Sequence, residues 1–167
     1  MPAAASEYAA AQIRIHWAMM ILITLQFLLS YSVLPGWHYL ITTNDFFFTP
    51  GVIVHVVIGT LVLALVIWRL VMRLRHPVVT EIEGFDPWLE KLSHLVHLCA
   101  YAIMIAIPVT GLVAYFGDLI PMSVVHNVLA LGLLGLVGVH ATGALYHQFI
   151  RRDGLLMRMV RSETSEQ

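Results

Sequence analysis

Four apolar stretches, each long enough to cross a hydrocarbon core, constrain this chain more than any other feature: roughly Ile13 to Leu34, Gly51 to Met72, Leu92 to Phe116 and Ser123 to Phe149. A bilayer core about 30 Å thick needs about 20 helical residues, and none of the stretches carries an Asp or Glu in its middle. With no water to satisfy exposed backbone groups, only helices and closed barrels span lipid, and the period-2 alternation of barrel strands is absent. The expected fold is therefore all-α, an integral membrane four-helix bundle with antiparallel up-down topology, forming a single transmembrane domain over residues 1–167. A 59% hydrophobic fraction and a mean hydropathy of +0.83 agree with lipid as the solvent. Pro35-Gly36 and Thr49-Pro50-Gly51 bracket the first connection, His76-Pro77 opens the second and Gly117 to Pro121 makes the third. All three read as turns or short connections.

The formal net charge of -1 conceals an uneven distribution of the basic residues. Arg14 precedes the first span, Arg69, Arg73, Arg75 and Lys91 surround the second connection, and Arg151, Arg152, Arg158 and Arg161 follow the last span. The first and third connections have neither Lys nor Arg. The positive-inside rule then places both termini and the second loop in the cytoplasm and the other loops in the periplasm, in a bacterial inner membrane. Trp17, Trp37, Tyr39, Trp68, Trp88, Tyr115 and Tyr146 fall near span ends, as interfacial aromatics do. The N-terminal segment lacks a basic region ahead of an apolar core and a cleavage signal, so it reads as a retained cytoplasmic tail. The lone cysteine, Cys99, excludes a disulfide framework and a Cys-based metal or iron–sulfur site. Nothing points to nucleic acid as a partner.

Nine histidines are many for so apolar a chain. An imidazole inside a span needs a partner, because an unpaired polar ring in hydrocarbon is expensive. His16 lies in the first span, His55 in the second, His94 and His97 in the third, and His126, His140 and His147 in the fourth; His38 and His76 lie in loops. Fourteen residues separate His126 from His140. On a helix, that interval returns to within about 40° of the starting direction and advances about 21 Å. Both rings therefore face one seam at two depths. Antiparallel geometry sets His16 level with His140, and His55 level with His126. Two opposed imidazoles with no carboxylate or thiolate nearby are the ligand set of a six-coordinate, low-spin haem, whereas zinc or copper would recruit further ligands. Span four also supplies Gly132, Gly135, Gly138 and Gly143, with Gly59 one turn after His55, small neighbours that suit a flat guest and equally suit plain helix packing.

The stretches QIRIHW, IVHVVIG, RLVMRLRHP, LSHLVHLCAYAIMIAIPVTGLV and HNVLALGLLGLVGVHATGALYHQFIRRD together resemble the bacterial cytochrome b561 family, which groups with the cytochrome b subunits of nickel–iron hydrogenase and formate dehydrogenase. The resemblance covers nearly the whole chain. It implies two haem b groups, one held by His16 and His140 and the other by His55 and His126, with ubiquinone or another quinone as redox partner.

His94 and His97 share the layer of His16 and His140. They are either rival ligands or donors of hydrogen bonds to haem propionates or a quinone carbonyl. Arg14, Arg69 and Arg73 sit near the same surface, where their forked guanidinium groups match propionates and where topology signalling alone would also account for them. His147, about two helical turns beyond His140, is a candidate for bonding and protonating a quinone oxygen, or else an interfacial His wetted by headgroups.

The expected function is electron transfer between a periplasmic-side donor or acceptor and the quinone pool, which makes the chain a quinone-linked oxidoreductase. One alternative is superoxide oxidation with ubiquinone as acceptor, against which stands the lack of any Lys or Arg in the first and third loops, which instead carry Asp45 and Asp118. Another is a membrane anchor that passes electrons for a larger redox complex. A His-ladder transporter ranks last, since the spans lack carboxylates.

Overall fold

The computed structural model describes residues 3–75, 87–152 and 155–158. In chain order these form helix α1 (Ala3–Leu28), a 3₁₀ turn (Ser30–Val33), α2 (Leu34–Thr43), α3 (Pro50–Arg75), α4 (Pro87–Phe116), α5 (Met122–Tyr146), a π-type turn (His147–Arg151) and the short α6 (Leu155–Arg158). No strand occurs among the described residues. The four membrane spans are Ala10–Leu28, Pro50–Arg75, Glu90–Phe116 and Met122–Arg151. The second connection with His76 and Pro77, and the tail with Arg161, lie outside the described residues.

Two features of the first connection differ from the sequence reading. The first span ends at Leu28 rather than at Leu34. There the hydroxyls of Ser30 and Ser32 donate back to the carbonyls of Phe27 and Leu29, at 2.8 and 2.6 Å, and the chain tightens into the 3₁₀ turn. What was expected to be a short connection contains the ten-residue helix α2. Its start is preset by Pro35 in the first turn, where a missing N–H costs nothing, and it stops at Asn44, whose φ of 56° is left-handed. Helix α3 then begins with the side chain of Thr49 accepting from the Val52 N–H at 3.2 Å and with Pro50 in the first helical position. At Gly51 the chain must lack a side chain, because a Cβ would collide with the carbonyl oxygen of Ser32. The third connection, by contrast, is the tight turn expected, with Asp118 at φ 54° and the Met122 N–H donating to the Leu119 carbonyl at 2.8 Å.

The spans pack in sequence, α1 on α3, α3 on α4 and, most extensively, α4 on α5, whereas α1 and α5 make little direct contact. The buried cores follow this order. Met19 of α1, Val66 of α3 and Tyr101 of α4 form one cluster; Leu40 of α2, Val52 of α3 and Tyr115 of α4 form the other, with Trp37 and Val33 against it. Of the residues in α5 only Leu133 is buried. A seam is thus left along the inner side of α5, facing α1 and α3. With four crossings, the start of α1 and the π-type turn after α5 lie at one end of the bundle, here the terminal end; α2 and the α4–α5 turn cap the other, the loop end.

Candidate functional site

The seam is where the span histidines meet. At the terminal end, the rings of His16 on α1 and His140 on α5 face each other with centroids 6.1 Å apart and planes at 63°. At the loop end, His55 on α3 and His126 on α5 repeat the arrangement, with centroids 6.1 Å apart and planes at 62°. A ring nitrogen about 2 Å from a metal ion puts its ring centroid about 3 Å from that ion, so two imidazoles clamping one ion from opposite faces have centroids roughly 6 Å apart. Both pairs stand at that separation. His97 on α4 approaches His140 edge-on, at 5.1 Å and 86°, which is closer than an opposed clamp allows.

Hydrogen bonding fixes several of these rings. The Nδ1–H of His126 donates to the Ile107 carbonyl at 2.8 Å; since a carbonyl only accepts, the lone pair of His126 is on Nε2. That acceptor lies beside Pro108, which interrupts the ladder of α4, and Thr110 donates to the same oxygen at 2.9 Å. Gly111 gives the His126 ring its room, because a Cβ there would come within 2.9 Å of Nδ1 and 3.0 Å of Cε1. The Nδ1 atoms of His97 and His94 donate to the carbonyls of Ser93 and Glu90, at 2.7 and 2.9 Å, so both rings are tied to their own helix. His94 is exposed.

Around the loop-end pair lies a cavity of about 500 Å³, walled by α1, α3, α4 and α5 and covered by Trp37 and Leu34 of α2. That volume is within the range of small-molecule and cofactor sites, about 300–1,000 Å³. Gln26 of α1 reaches into its wall and donates from Nε2 to the His55 carbonyl at 2.8 Å. Two polar atoms here are buried without a partner, Gln26 Oε1 and His55 Nδ1. On α5 a Cβ added to Gly135, Gly138 or Gly143 would meet nothing within 4 Å, so these glycines border open space and not a packed helix.

At the terminal end, half-buried Arg69 is engaged within the bundle. It donates from Nε to the Tyr101 hydroxyl at 3.0 Å and from Nη1 to the Gln12 carbonyl at 2.7 Å, linking three spans. The guanidinium of Arg73 lies 6.0 Å from the Tyr101 ring centroid, at the margin of a cation–π contact. Arg14 is exposed at the start of the first span. His147 is buried at 8% exposure where α5 passes into the π-type turn, next to Gln148, whose Oε1 is buried without a partner.

The residues present fit a flat macrocycle better than a bare ion. No group of three or more His, Cys, Asp or Glu that could hold a metal ion occurs among the described residues, so each pair offers two axial nitrogens and nothing equatorial. A porphyrin would supply the remaining nitrogens, and the seam along α5 that holds both pairs would supply the slot. Sequence reasoning found the rings and missed what surrounds them: Gln26, Ile107, Gly111, and the residues of α2 at the cavity. Of these Gln26 was open to detection, as an amide deep in an apolar span.

Comparison with known proteins finds a family and several relatives. The family model described as "Prokaryotic cytochrome b561" matches residues 7–162. Similar curated proteins include "Probable superoxide oxidase CybB" of Yersinia pestis, 26% identical over 92% of this chain and 96% of its own length. "Cytochrome b562" of Cereibacter sphaeroides is 28% identical over 92% of this chain and 95% of its own length. "Cytochrome b561 homolog 1" of Escherichia coli is 24% identical over 93% and 97% respectively.

Proposed function

The chain belongs to the prokaryotic cytochrome b561 family, haem b-binding electron-transfer proteins of the bacterial membrane, and from that premise we propose that it carries two haems in series, linking a donor or acceptor at the loop end to the quinone pool. The single observation that supports this most is the repetition of one motif at two depths: opposed imidazoles 6.1 Å apart, His16 with His140 and His55 with His126. His126 and His140 lie on one helix about 21 Å apart along its axis, so the two sites together bridge most of the bilayer core.

Haem b supplies a one-electron couple between its ferric and ferrous states. The protein's part is to fix, insulate and connect. His126 presents Nε2 because its other nitrogen is committed to Ile107, which sets both tautomer and ring direction. Each haem would be held by two imidazoles, His16 with His140 or His55 with His126, an all-histidine hold that suits electron transfer rather than chemistry on a small molecule at the iron. Val56, Val62, Met104 and Leu133 give the loop-end site apolar walls. At the terminal end His147 stands beyond His140 on the same helix, buried where the backbone widens into a π-type turn, a distortion frequent at functional sites. It is assigned to the quinone, as the group that bonds a quinone oxygen and delivers a proton to it. His97, Arg69 and Arg73 line the same layer as candidates for propionate or quinone contacts. The distribution of Lys and Arg supports assigning this end to the cytoplasm, and membership of the family supports an inner-membrane location.

The test is haem quantitation after changing His16, His55, His126 and His140 singly to Ala. Each change removes one haem, and the two changes within a pair remove the same one. Retention of both haems in any of the four refutes the assignment.

A second reading takes superoxide as the electron donor at the loop end, with ubiquinone as acceptor. It is favoured by the likeness to the Yersinia pestis protein, which is named as a probable superoxide oxidase. Generating superoxide enzymatically in the presence of the purified protein and ubiquinone decides it: superoxide-dependent quinol formation supports the reading, and its absence from a protein whose haems are reducible by other donors removes it.

A further inference from the structure

The loop-end cavity contains an unmatched pair. A ligating imidazole must keep the nitrogen that faces the metal free of hydrogen, so its other nitrogen bears the N–H and needs an acceptor. His126 has one in Ile107. His55 does not, since its Nδ1 is buried and without a partner. In the same wall Gln26 holds an acceptor with nothing to accept: Nε2 is anchored on the His55 carbonyl at 2.8 Å, and Oε1 is buried and without a partner. The bare backbone at Gly59 leaves the amide its place, since a Cβ there would come within 3.0 Å of Nε2. A side-chain amide in a membrane span is costly unless its groups are used.

We infer that Gln26 is a positioning residue for His55, its Oε1 accepting the His55 Nδ1–H, directly or through one water, when the cavity holds its haem. The inference rests on the ligand pairs proposed above. An acceptor on that N–H makes the imidazole a stronger donor to iron, which favours the ferric state and lowers the reduction potential of the loop-end haem relative to the same site without it. The two haems are thereby set apart in potential by a residue that touches neither iron.

Potentiometric titration of the purified holoprotein, following the visible bands of both haems, tests this with two variants. Gln26→Met removes both the anchor and the acceptor. It raises one of the two midpoint potentials, by about tenfold in the ferrous/ferric equilibrium or ~59 mV for a one-electron couple, and leaves the other in place. Gln26→Glu discards the Nε2 donor and keeps an acceptor oxygen, so the same haem stays at or below its wild-type potential. If Gln26 served only to hold the α3 backbone, the two variants would move together; a joint upward shift, or no shift in Gln26→Met with both haems bound, overturns the inference and leaves the ligand pairs standing. Should Gln26→Met fail to assemble, Gln26→Glu alone still decides, since a raised potential refutes the acceptor role. His55→Ala, run alongside, must abolish the haem whose potential moved; if it abolishes none, the ligand pair itself fails.

Discussion

Gly111→Ala is the sharpest perturbation of the loop-end site, because it adds one methyl group at a position whose surroundings are known. The new Cβ would stand 2.9 Å from Nδ1 and 3.0 Å from Cε1 of His126, whereas ordinary contact begins at 3.4 Å, so the ring must retreat by about 0.5 Å. The retreat is directed away from α4, where the ring's hydrogen bond to Ile107 is anchored. A retreat of that size stretches the 2.8 Å bond to the long edge of the hydrogen-bond range and weakens the hold on a part-buried N–H. The cost is about 0.5–1.5 kcal/mol, the net worth of one such bond, which is roughly 2- to 13-fold in affinity for whatever His126 ligates. The assay is haem per polypeptide by pyridine haemochrome after purification, with reduced-minus-oxidised spectra to show which haem is affected. Content falls toward one haem per chain, and the surviving spectrum is that of the His16–His140 site. Gly135→Ala is the control, since a Cβ there meets nothing within 4 Å, and it retains full haem content. Two haems with unaltered spectra in Gly111→Ala would refute the claim that this glycine and Ile107 together aim the ring.

Removing the Arg69 guanidinium by Arg69→Met deletes its bonds to Gln12 and Tyr101 and is expected to destabilise the bundle by about 2–4 kcal/mol, at about 1.5–3 kcal/mol per bond to a charged group with incomplete additivity. A lower thermal midpoint in detergent checks this, and Tyr101→Phe should reproduce part of it; an unchanged midpoint in both would show that the cluster carries no stability. His147→Ala is expected to slow electron transfer to added quinone severalfold while both haems remain bound and reducible, and a wild-type rate under those conditions would take the residue out of the quinone site. Reporter fusions after Arg161 and within the first loop near Asp45 test orientation: cytoplasmic activity at the former and periplasmic activity at the latter are expected, and the reverse pattern would overturn the assignment of sides.

Much of the architecture was legible because lipid leaves a chain few options. Apolar length fixes the number of crossings. The histidines were legible for a related reason: a polar ring in an apolar span has to be used, and the fourteen-residue interval from His126 to His140 keeps both on one face of any α-helix. Local patterns also carried the Gly117 to Pro121 turn. Where the pattern failed, neighbouring chain segments decided the outcome. Leu29 to Leu34 are apolar enough to have continued the first span, yet two serine hydroxyls and Pro35 turn them aside, and α2 is held in place by its contact with Val52 and Tyr115.

By itself, then, the sequence determined the solvent, the number of spans and the two levels at which imidazoles recur, since each follows from residue type and from the period of the helix. Only the tertiary structure decided that His97 comes too close to His140 to clamp an ion with it, and that Ile107 and Gly111 aim His126. Those outcomes depend on the order in which helices pack, which is not encoded in the periodicity of any single span. Periodicity specifies the face a residue occupies, while distances between faces are set by side chains that meet across the bundle.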